Sequence, residues 1–461
     1  MIYLVVIKKR IPNSQYFKTK QDVRFLIIFI MGFYLVSIET SLFSGLPKVL
    51  SFCVFLVMNF ALINLFQQLK WSFYLLPLTL ISMIIAIAFS RQLAIITIFF
   101  QLFILWAWDN SLFPVVMAHC PAAIIAALGL TDIRTRAKII RLGAACGAAL
   151  LIMICVRSIF ESQHIQITSL KNIMQAEFVK DAFIGFANGF VSGFIFLGIL
   201  PFIEKWFGVV TDLSLLELAD LNQPLLKRLS LEAPGTYHHS LRVGNLAESA
   251  AEAIGADRML TRVGAYYHDI GKLAKPEYFV ENESGGDSKH NNLSPTMSTL
   301  IITAHVKDGL EIGKIEKLPK RLQDFVIQHH GTSVMKYFYR EALEKTSNHV
   351  NGNTEEKQGE PEEDNENLLL DAEAFRYPGP KPQTKEVGVV MLADGVEAAS
   401  RSMSNISPSR LKGLVHEIVT NHLLDGQLDH SNLTLNDLRK IEETFIRVLA
   451  GMLHARIKYP E

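Results

Sequence analysis

The two halves of the chain differ in their pattern of apolar and polar positions. Seven apolar stretches follow one another in the first half, at about residues 25–43, 49–66, 73–89, 93–108, 112–130, 142–159 and 182–203. Several are near the lower limit of roughly 17 residues for a membrane-spanning helix. After residue 203, apolar positions recur at helical spacing, and strand-like alternation is nearly absent. The pattern predicts an all-α protein, with a polytopic bundle of about seven transmembrane helices followed by an all-helical soluble half.

Changes in composition suggest where the segments end. They predict a basic N-terminal segment, a membrane domain, a leucine-rich helical connector interrupted by Pro224, and a soluble domain, at residues 1–24, 25–203, 204–232 and 233–461. Within the soluble domain, residues 346–367 carry seven acidic residues and almost no apolar ones. Such a composition cannot bury enough apolar surface to fold, so a disordered surface insertion is expected there.

Basic residues in the loops orient the membrane domain. One set of alternate loops carries Lys48, Arg91, the basic cluster at 134–141 and Lys205. Since basic loops stay on the cytoplasmic side, the soluble half is expected in the cytosol. Seven spans would then place the basic residues 1–24 outside. Either an additional early span such as MIYLVVI is the remnant of something longer, or one of the seven stretches is not a full crossing.

Small and ionisable residues interrupt the apolar stretches. Gly185, Gly189 and Gly193 line one face of the last stretch, which indicates close helix packing, either within the bundle or between two protomers of a homodimer. His119 and Glu39 are ionisable groups within the membrane domain. Each has either a functional role or a hydrogen-bonding role inside the bundle.

Charge and cysteine content exclude some functions. The chain has 45 basic and 45 acidic residues, which argues against binding of a polymeric nucleic acid. All four cysteines, Cys53, Cys120, Cys146 and Cys155, fall in the apolar half. The soluble half therefore offers no thiolate zinc site.

Histidines are concentrated in one part of the soluble half. Of the 14 in the chain, seven lie between positions 238 and 330, namely His238, His239, His268, His290, His305, His329 and His330. Farther on, Asp394 interrupts the apolar helical run VVMLADGVEAA, where a carboxylate is costly unless it is paired or bound to a metal. Imidazoles and carboxylates without cysteine suit a metal site with nitrogen and oxygen ligands.

The stretch AYYHDIGKL, residues 265–273, places His268 and Asp269 side by side with Lys272 three positions on. At a helix end, both adjacent side chains can reach one pocket. Two divalent ions about 3.5 to 4 Å apart can share a bridging hydroxide that attacks a phosphoryl group. Asp269 is the natural bridge between two ions, and Lys272 would approach the phosphate as a point charge.

A series of motifs supports this interpretation. They are LNQPLLKRL, EAPGTYHHS, AYYHDIGKL, PEYFVEN, LSPTMS, AHVKDGL, HHGT, RYPGPKPQTKEVGVVMLAD and VEAASRSM. The ordered series resembles the HD-domain metal-dependent phosphohydrolases, and within them the 7TM-HD membrane phosphodiesterases of bacteria that hydrolyse cyclic di-AMP. The resemblance covers nearly the whole soluble half, and the seven-span region before it matches the same architecture.

The resemblance implies a ligand set and a reaction. One ion would be held by His239, His268, Asp269 and Asp394, and the other by His305, His329 and His330 with Asp269 shared. The ions would be iron or manganese, and the reaction would open cyclic di-AMP to linear pApA. The location would be the bacterial cytoplasmic membrane with the HD domain in the cytosol.

Other readings remain open at this point. The family typically carries a large extracytoplasmic sensing domain before its spans, whereas about 24 residues precede them here. Either this form lacks that sensor or the chain is incomplete, and control by an outside ligand is in doubt. The substrate could be another nucleotide, or the protein could be a receptor that does not turn its ligand over. His290 lies outside the minimal pattern and either contacts substrate or has a local role. Tyr237, Tyr266 and Tyr267 either stack on a base or pack in the core.

Overall fold

The computed structural model describes residues 46–108, 113–131, 133–162, 176–283, 288–352, 372–403 and 407–454. The chain divides into two compact units, Met1–Leu213 and Ser214–Glu461. In the described ranges, regular structure consists of helices and short 3-10 turns, and the single β-bridge pairs Val334 with Arg376. The prediction of an all-α protein is confirmed.

The described residues of the first unit form six apolar helices. They are α1 (Leu46–Gln68), α2 (Leu78–Ala88), α3 (Arg91–Trp108), α4 (Phe113–Gly129), α5 (Arg136–Ser162) and α6 (Ala176–Phe207). Three segments are long and apolar enough to cross a membrane, namely Val49–Gln68, Arg136–Phe160 and Phe178–Phe207. The other three are shorter, and the predicted stretch 25–43 lies outside the described residues. The described part of the chain therefore supplies three candidate spans and does not confirm a count of seven.

The glycine face of α6 packs against α5 of the same chain. A Cβ atom on Gly189 would lie 2.2 Å from the backbone nitrogen of Gly147, and one on Gly193 would lie 3.1 Å from the Cα of Gly143. Small residues let two helix backbones approach this closely in a membrane. The glycine repeat therefore serves helix packing within the bundle, which is one of its two interpretations.

Polar side chains inside this unit bind an irregular turn between α1 and α2. The amide of Asn188 donates to the carbonyls of Tyr74 and Leu76, at 2.6 and 2.8 Å. His119 Nε2 lies 3.1 Å from the carbonyl of Phe73. Carbonyls that leave a helical ladder inside an apolar bundle need such partners. His119 thus has the hydrogen-bonding role, while Glu39 lies outside the described residues.

The second unit contains most of the remaining helices. After α7 (Asp212–Leu218), which spans the boundary, come α8 (Pro224–Glu232), α9 (Pro234–Ile254), α10 (Arg258–Tyr267), α11 (Pro295–Ile315), α12 (Lys320–Gln328), α13 (Lys336–Gly352), α14 (Lys385–Arg401), α15 (Pro408–Leu424) and α16 (Leu435–His454). Short 3-10 turns at 270–274, 276–278, 280–282 and 289–292 connect α10 to α11, and another lies at 372–375.

Two boundaries differ from those expected. Part of the predicted connector belongs to the core of the second unit, because Leu225, Leu226 and Leu229 of α8 are buried there. The helix α13 continues to Gly352, so the first residues of the predicted acidic insertion are helical, and residues 353–371 lie outside the described ranges. An ion pair from Lys345 to Glu341, one turn earlier at 2.7 Å, supports the helix there.

Candidate metal centre

The HD motif forms the end of one helix and the turn after it. Asp257 caps the start of α10 by accepting from the backbone nitrogen of Leu260, and α10 ends at Tyr267. His268 follows as the C-cap, and Asp269 precedes a 3-10 turn. Both side chains are buried. The change from α to 3-10 geometry at this point is what lets adjacent residues face the same pocket.

Gly271 brings this turn against α11. A Cβ atom at Gly271 would lie 1.8 Å from the carbonyl oxygen of His305, a distance that no side chain could occupy. The glycine in HDIGK therefore has a packing reason. It places the Asp269 carboxylate beside the His305 imidazole.

The seven predicted metal ligands lie together. His239 is on α9, His305 on α11, His329 and His330 directly follow α12, and Asp394 is on α14. Two groups have donor atoms close enough to hold a metal ion: His239, His268 and Asp269, and Asp269, His305, His329 and His330. Asp269 belongs to both groups.

Backbone carbonyls fix the orientation of three imidazoles. Nδ1 of His268 lies 2.7 Å from the Ala265 carbonyl, Nδ1 of His305 lies 2.6 Å from that of Ile302, and Nδ1 of His329 lies 3.0 Å from that of Phe325. Because a carbonyl only accepts, each Nδ1 donates, and in the neutral form of each ring Nε2 then carries a lone pair. These three lone pairs point into the cluster.

The donor atoms fit metal ions better than they fit one another. His305 Nε2 and His329 Nε2 lie 3.4 Å apart, and two lone pairs at that distance repel unless a cation lies between or beside them. Asp269 Oδ1 and His268 Nε2 are buried and make no hydrogen bond to the described residues. A buried polar atom without a hydrogen bond is costly, and coordination to a metal would satisfy both atoms, so the arrangement suits a pair of divalent ions.

Burial prepares the second group for a metal. It lowers the pKa of His305 to about 4 and holds that of His330 well below its usual range. Both rings are therefore neutral at physiological pH, the form that binds a metal. Burial opposes ionisation of Asp269, but His268 and Lys272 hold the pKa of this carboxyl well below its usual range.

Asp394 lies between the two groups. Its Oδ1 is 2.9 Å from His239 Nε2 and 3.9 Å from His268 Nε2, and its Oδ2 is 3.7 Å from His330 Nδ1. Burial alone would raise its pKa, but the hydrogen bond from His239 lowers it. The carboxylate is thus ionised and in reach of histidines from both groups.

Glu397 is a residue that the sequence analysis did not single out. It is 3% exposed, and its Oε2 lies 2.5 Å from Nδ1 of His239. Its carboxylate also forms ion pairs with the guanidinium groups of Arg242 and Arg401, at 2.7 and 3.1 Å. Its spacing of three residues from Asp394 puts both acids on one face of α14, which is the sequence signal that could have identified it.

Glu397 also affects the charge of His239. Burial alone would lower the pKa of His239, but hydrogen bonds to Asp394 and Glu397 raise it to about 9. Without a metal, both ring nitrogens of His239 therefore carry a proton at neutral pH. A metal must displace the proton on Nε2 to bind there.

Lys272 is held by two carboxylates. Its ammonium nitrogen lies 2.8 Å from Asp269 and 2.7 Å from Glu281, and its side chain is 12% exposed. Burial alone would lower its pKa, yet these two carboxylates raise it. The Lys272 ammonium group, which was predicted to meet a phosphate, therefore binds the Asp269 carboxylate in this structure.

The remaining candidates lie outside the cluster. His238 is exposed, whereas His239 is buried. Tyr266 and Tyr267 are buried, and their hydroxyls bond to Arg262 and to the Leu218 carbonyl. Tyr266 and Tyr267 therefore pack in the core. Tyr237 lies beside His238. His290 lines a cavity with Tyr278 and Phe338, and its Nε2 lies 2.9 Å from the Tyr278 carbonyl.

Comparison with known proteins gives two family matches. Residues 4–211 match the model for a 7TM receptor with intracellular HD hydrolase, and residues 236–399 match the HD domain. The cyclic-di-AMP phosphodiesterase PgpH of Bacillus subtilis is 36% identical over 407 residues, which are 87% of this chain and 53% of that protein. PgpH of Listeria monocytogenes is 41% identical over 280 residues, 61% of this chain and 36% of that protein.

This chain thus spans about half the length of the first relative and about a third of the second. A crystal structure described as the L. monocytogenes PgpH HD domain in complex with cyclic-di-AMP is 41% identical, with a TM-score of 0.44. The match covers 51% of this chain and 100% of that one.

Proposed function

Because this chain belongs to the family of 7TM receptors with an intracellular HD hydrolase, we propose that it is a membrane-bound, metal-dependent phosphodiesterase that hydrolyses cyclic di-AMP to pApA. The observation that carries the proposal is the pair of donor groups that share Asp269. The names of the two PgpH relatives, at 36% and 41% identity, support the choice of substrate.

We assign one divalent ion to His239, His268, Asp269 and Asp394, and the other to His305, His329, His330 and Asp269. The nitrogen and oxygen donors suit iron or manganese. When bound, the two ions would lower the pKa of a water molecule for attack and neutralise charge on the phosphoryl oxygens. The chain itself supplies neutral imidazoles, because burial keeps His305 and His330 unprotonated.

Lys272 and Glu397 act on the ligands in this proposal. Lys272 holds Asp269 as a carboxylate by donating to it at 2.8 Å. An ammonium group has three donors, so one of them remains for a phosphate oxygen beside the two carboxylates. Glu397 fixes the ring of His239 from the opposite nitrogen, which is the usual arrangement behind a metal-bound histidine.

The membrane arrangement is part of the same proposal. About seven helices would cross the bacterial cytoplasmic membrane, with the HD domain in the cytosol, as the family description and the basic loops suggest. A homodimer would have its contact away from the glycine face of α6, because α5 of the same chain covers that face. The lipid bilayer and cyclic di-AMP are the partners that the proposal requires.

The test uses the full chain purified in detergent and loaded with Mn²⁺ or Fe²⁺. Chromatography should show conversion of cyclic di-AMP to pApA. We expect cyclic di-GMP and guanosine tetraphosphate to be poorer substrates. Asp269→Asn should be inactive, whereas Asp429→Asn, which changes an exposed carboxylate, should not. Cleavage of another nucleotide with cyclic di-AMP left intact would contradict the substrate. Binding of cyclic di-AMP without any turnover would point to a receptor.

A further inference from the structure

We propose that Glu281 is a positioning residue, which shares the Lys272 ammonium group with Asp269 and so keeps the Asp269 carboxylate available to a metal ion. The inference rests on the proposed function, because it concerns the metal centre of the same reaction. The Glu281 side chain is 9% exposed, and its Oε1 lies 2.7 Å from the Lys272 nitrogen.

Lys272 binds one particular oxygen of Asp269. Its nitrogen lies 2.8 Å from Oδ2. The same Oδ2 lies 3.1 Å from His268 Nε2 and 3.6 Å from His239 Nε2, whereas Oδ1 faces the second group of ligands. Oδ2 is therefore the oxygen that an ion in the first group would reach. The ammonium group and that ion compete for the same atom.

Contacts from the start of α9 hold Glu281 in place. The Thr236 hydroxyl donates to Glu281 Oε1 at 3.1 Å, and its oxygen accepts from the side-chain amide of Asn282 at 2.9 Å. The Thr236 backbone nitrogen donates to the Asn282 side chain at 3.1 Å. A Cβ atom at Gly235 would lie 1.8 Å from the Glu281 carbonyl oxygen, so this close approach requires a glycine. The Glu281 carboxylate thus has a fixed position beside the metal centre.

The charges give a reason for the second carboxylate. An ammonium group that faced Asp269 alone would direct its whole charge at Oδ2 and would oppose a cation there. Glu281 accepts from the same ammonium group at almost the same distance, 2.7 Å against 2.8 Å, so the interaction is divided. The Phe279 ring, centred 5.0 Å from the Lys272 nitrogen, lies beside the same group. Without the charge of Glu281, Lys272 should hold Asp269 more tightly and weaken the binding of one ion.

The experiment is a double-mutant cycle on the full chain in detergent, with competition for Mn²⁺ against a chelator as the main readout. The variants are Glu281→Gln, Lys272→Met and the two combined. Glu277→Gln is the matched control, because Glu277 lies on the neighbouring 3-10 turn and pairs with Lys289 at a side chain that is 48% exposed. The unfolding temperature of each metal-free variant separates metal affinity from folding.

We expect Glu281→Gln to weaken the affinity for one of the two ions by about tenfold, within the range for coupled residues in contact, and the control to stay within about twofold. In the Lys272→Met background, the same change should have an effect below about twofold, because Glu281 acts through the ammonium group. At saturating Mn²⁺, kcat of Glu281→Gln for cyclic di-AMP should return to within about threefold of wild type.

Three results would overturn the inference. One is a tenfold loss that persists in the Lys272→Met background, since Glu281 would then act on the ion by its own charge. The others are an unchanged affinity in Glu281→Gln and a lower unfolding temperature as its only effect. If Glu281→Gln does not fold, Glu281→Asp takes its place in the cycle, with an expected loss of about threefold that Lys272→Met abolishes.

Failure of the proposed activity would give a different result. Wild type would then bind Mn²⁺ and leave cyclic di-AMP intact. The cycle of metal affinities needs no turnover, so it would still decide the role of Glu281.

Discussion

Replacement of Glu397 by glutamine tests whether the first metal is held through a carboxylate behind its histidine. The change keeps the shape of a side chain that is 3% exposed and removes its negative charge. The amide oxygen can still accept from one neighbour, but it can no longer bond strongly to His239, Arg242 and Arg401 together. His239 should then lose its fixed orientation.

The structure sets the size of the expected effect. Loss of a carboxylate behind a metal-bound histidine typically weakens metal affinity by about 10- to 100-fold. A hydrogen bond to a charged group contributes about 1.5 to 3 kcal/mol. The side chains of Arg242 and Arg401 are 37% and 33% exposed, so solvent screens their interaction with Glu397. We therefore expect the variant to lose about 2 kcal/mol of metal-binding free energy, near the lower end of the range for such a hydrogen bond.

The assay is competition for Mn²⁺ between the full chain and a chelator, with kcat/KM for cyclic di-AMP measured in parallel. Glu442→Gln is the control, because Glu442 pairs with His416, an exposed histidine away from the cluster. We expect weaker binding of one of the two ions in Glu397→Gln and an unchanged affinity in the control. Wild-type metal affinity in Glu397→Gln, with only a lower unfolding temperature, would refute the role.

Further predictions concern pH, the shared carboxylate and the membrane unit. The raised pKa of His239, about 9, stabilises the metal-free fold below its unfolded pKa of roughly 6.5, and this contribution is lost as the pH rises through about 9. Apparent metal affinity should therefore increase from pH 7 to 9, with proton release that calorimetry in two buffers detects. Asp269→Asn should bind fewer than two ions by mass spectrometry and lower kcat by about three orders of magnitude or more; two retained ions would contradict the shared position. Lys272→Met should raise the pH at which activity appears, since Asp269 loses its nearest cation, and an unchanged profile would contradict that reasoning. Gly189→Leu should lower the melting temperature in detergent because its Cβ would meet Gly147, whereas Gly198→Leu, with open space around it, should not.

Most of the candidate centre could be predicted because each ligand has a local sequence setting. His268 and Asp269 end a helix whose start is marked by Asp257, and His329 follows the end of another. Glu397 could not be identified in this way. Its partner His239 is 158 residues away in the chain, so only the packing of α9 on α14 brings them together. A buried acid on an apolar helix signals a partner without telling which one.

The membrane unit and the connector show the same limit. The repeat of glycines on α6 predicts a close contact, but the choice of α5 depends on Gly143 and Gly147 meeting it in three dimensions. Leucine spacing in α8 predicts an apolar face, yet spacing alone does not distinguish a tether from a part of a core. Tertiary packing decides both cases.

The burial of α8 has a practical consequence for dissecting the protein. A soluble fragment cut at residue 233 would expose the apolar surface that Leu225, Leu226 and Leu229 normally cover, and would also remove the Leu218 carbonyl that binds the Tyr267 hydroxyl at 2.8 Å. Tyr267 directly precedes the HD pair, so the damage would reach the metal centre. Such a fragment is expected to aggregate and lose metal. A cut at or before Ser214, where the second unit begins, would keep this cover in place.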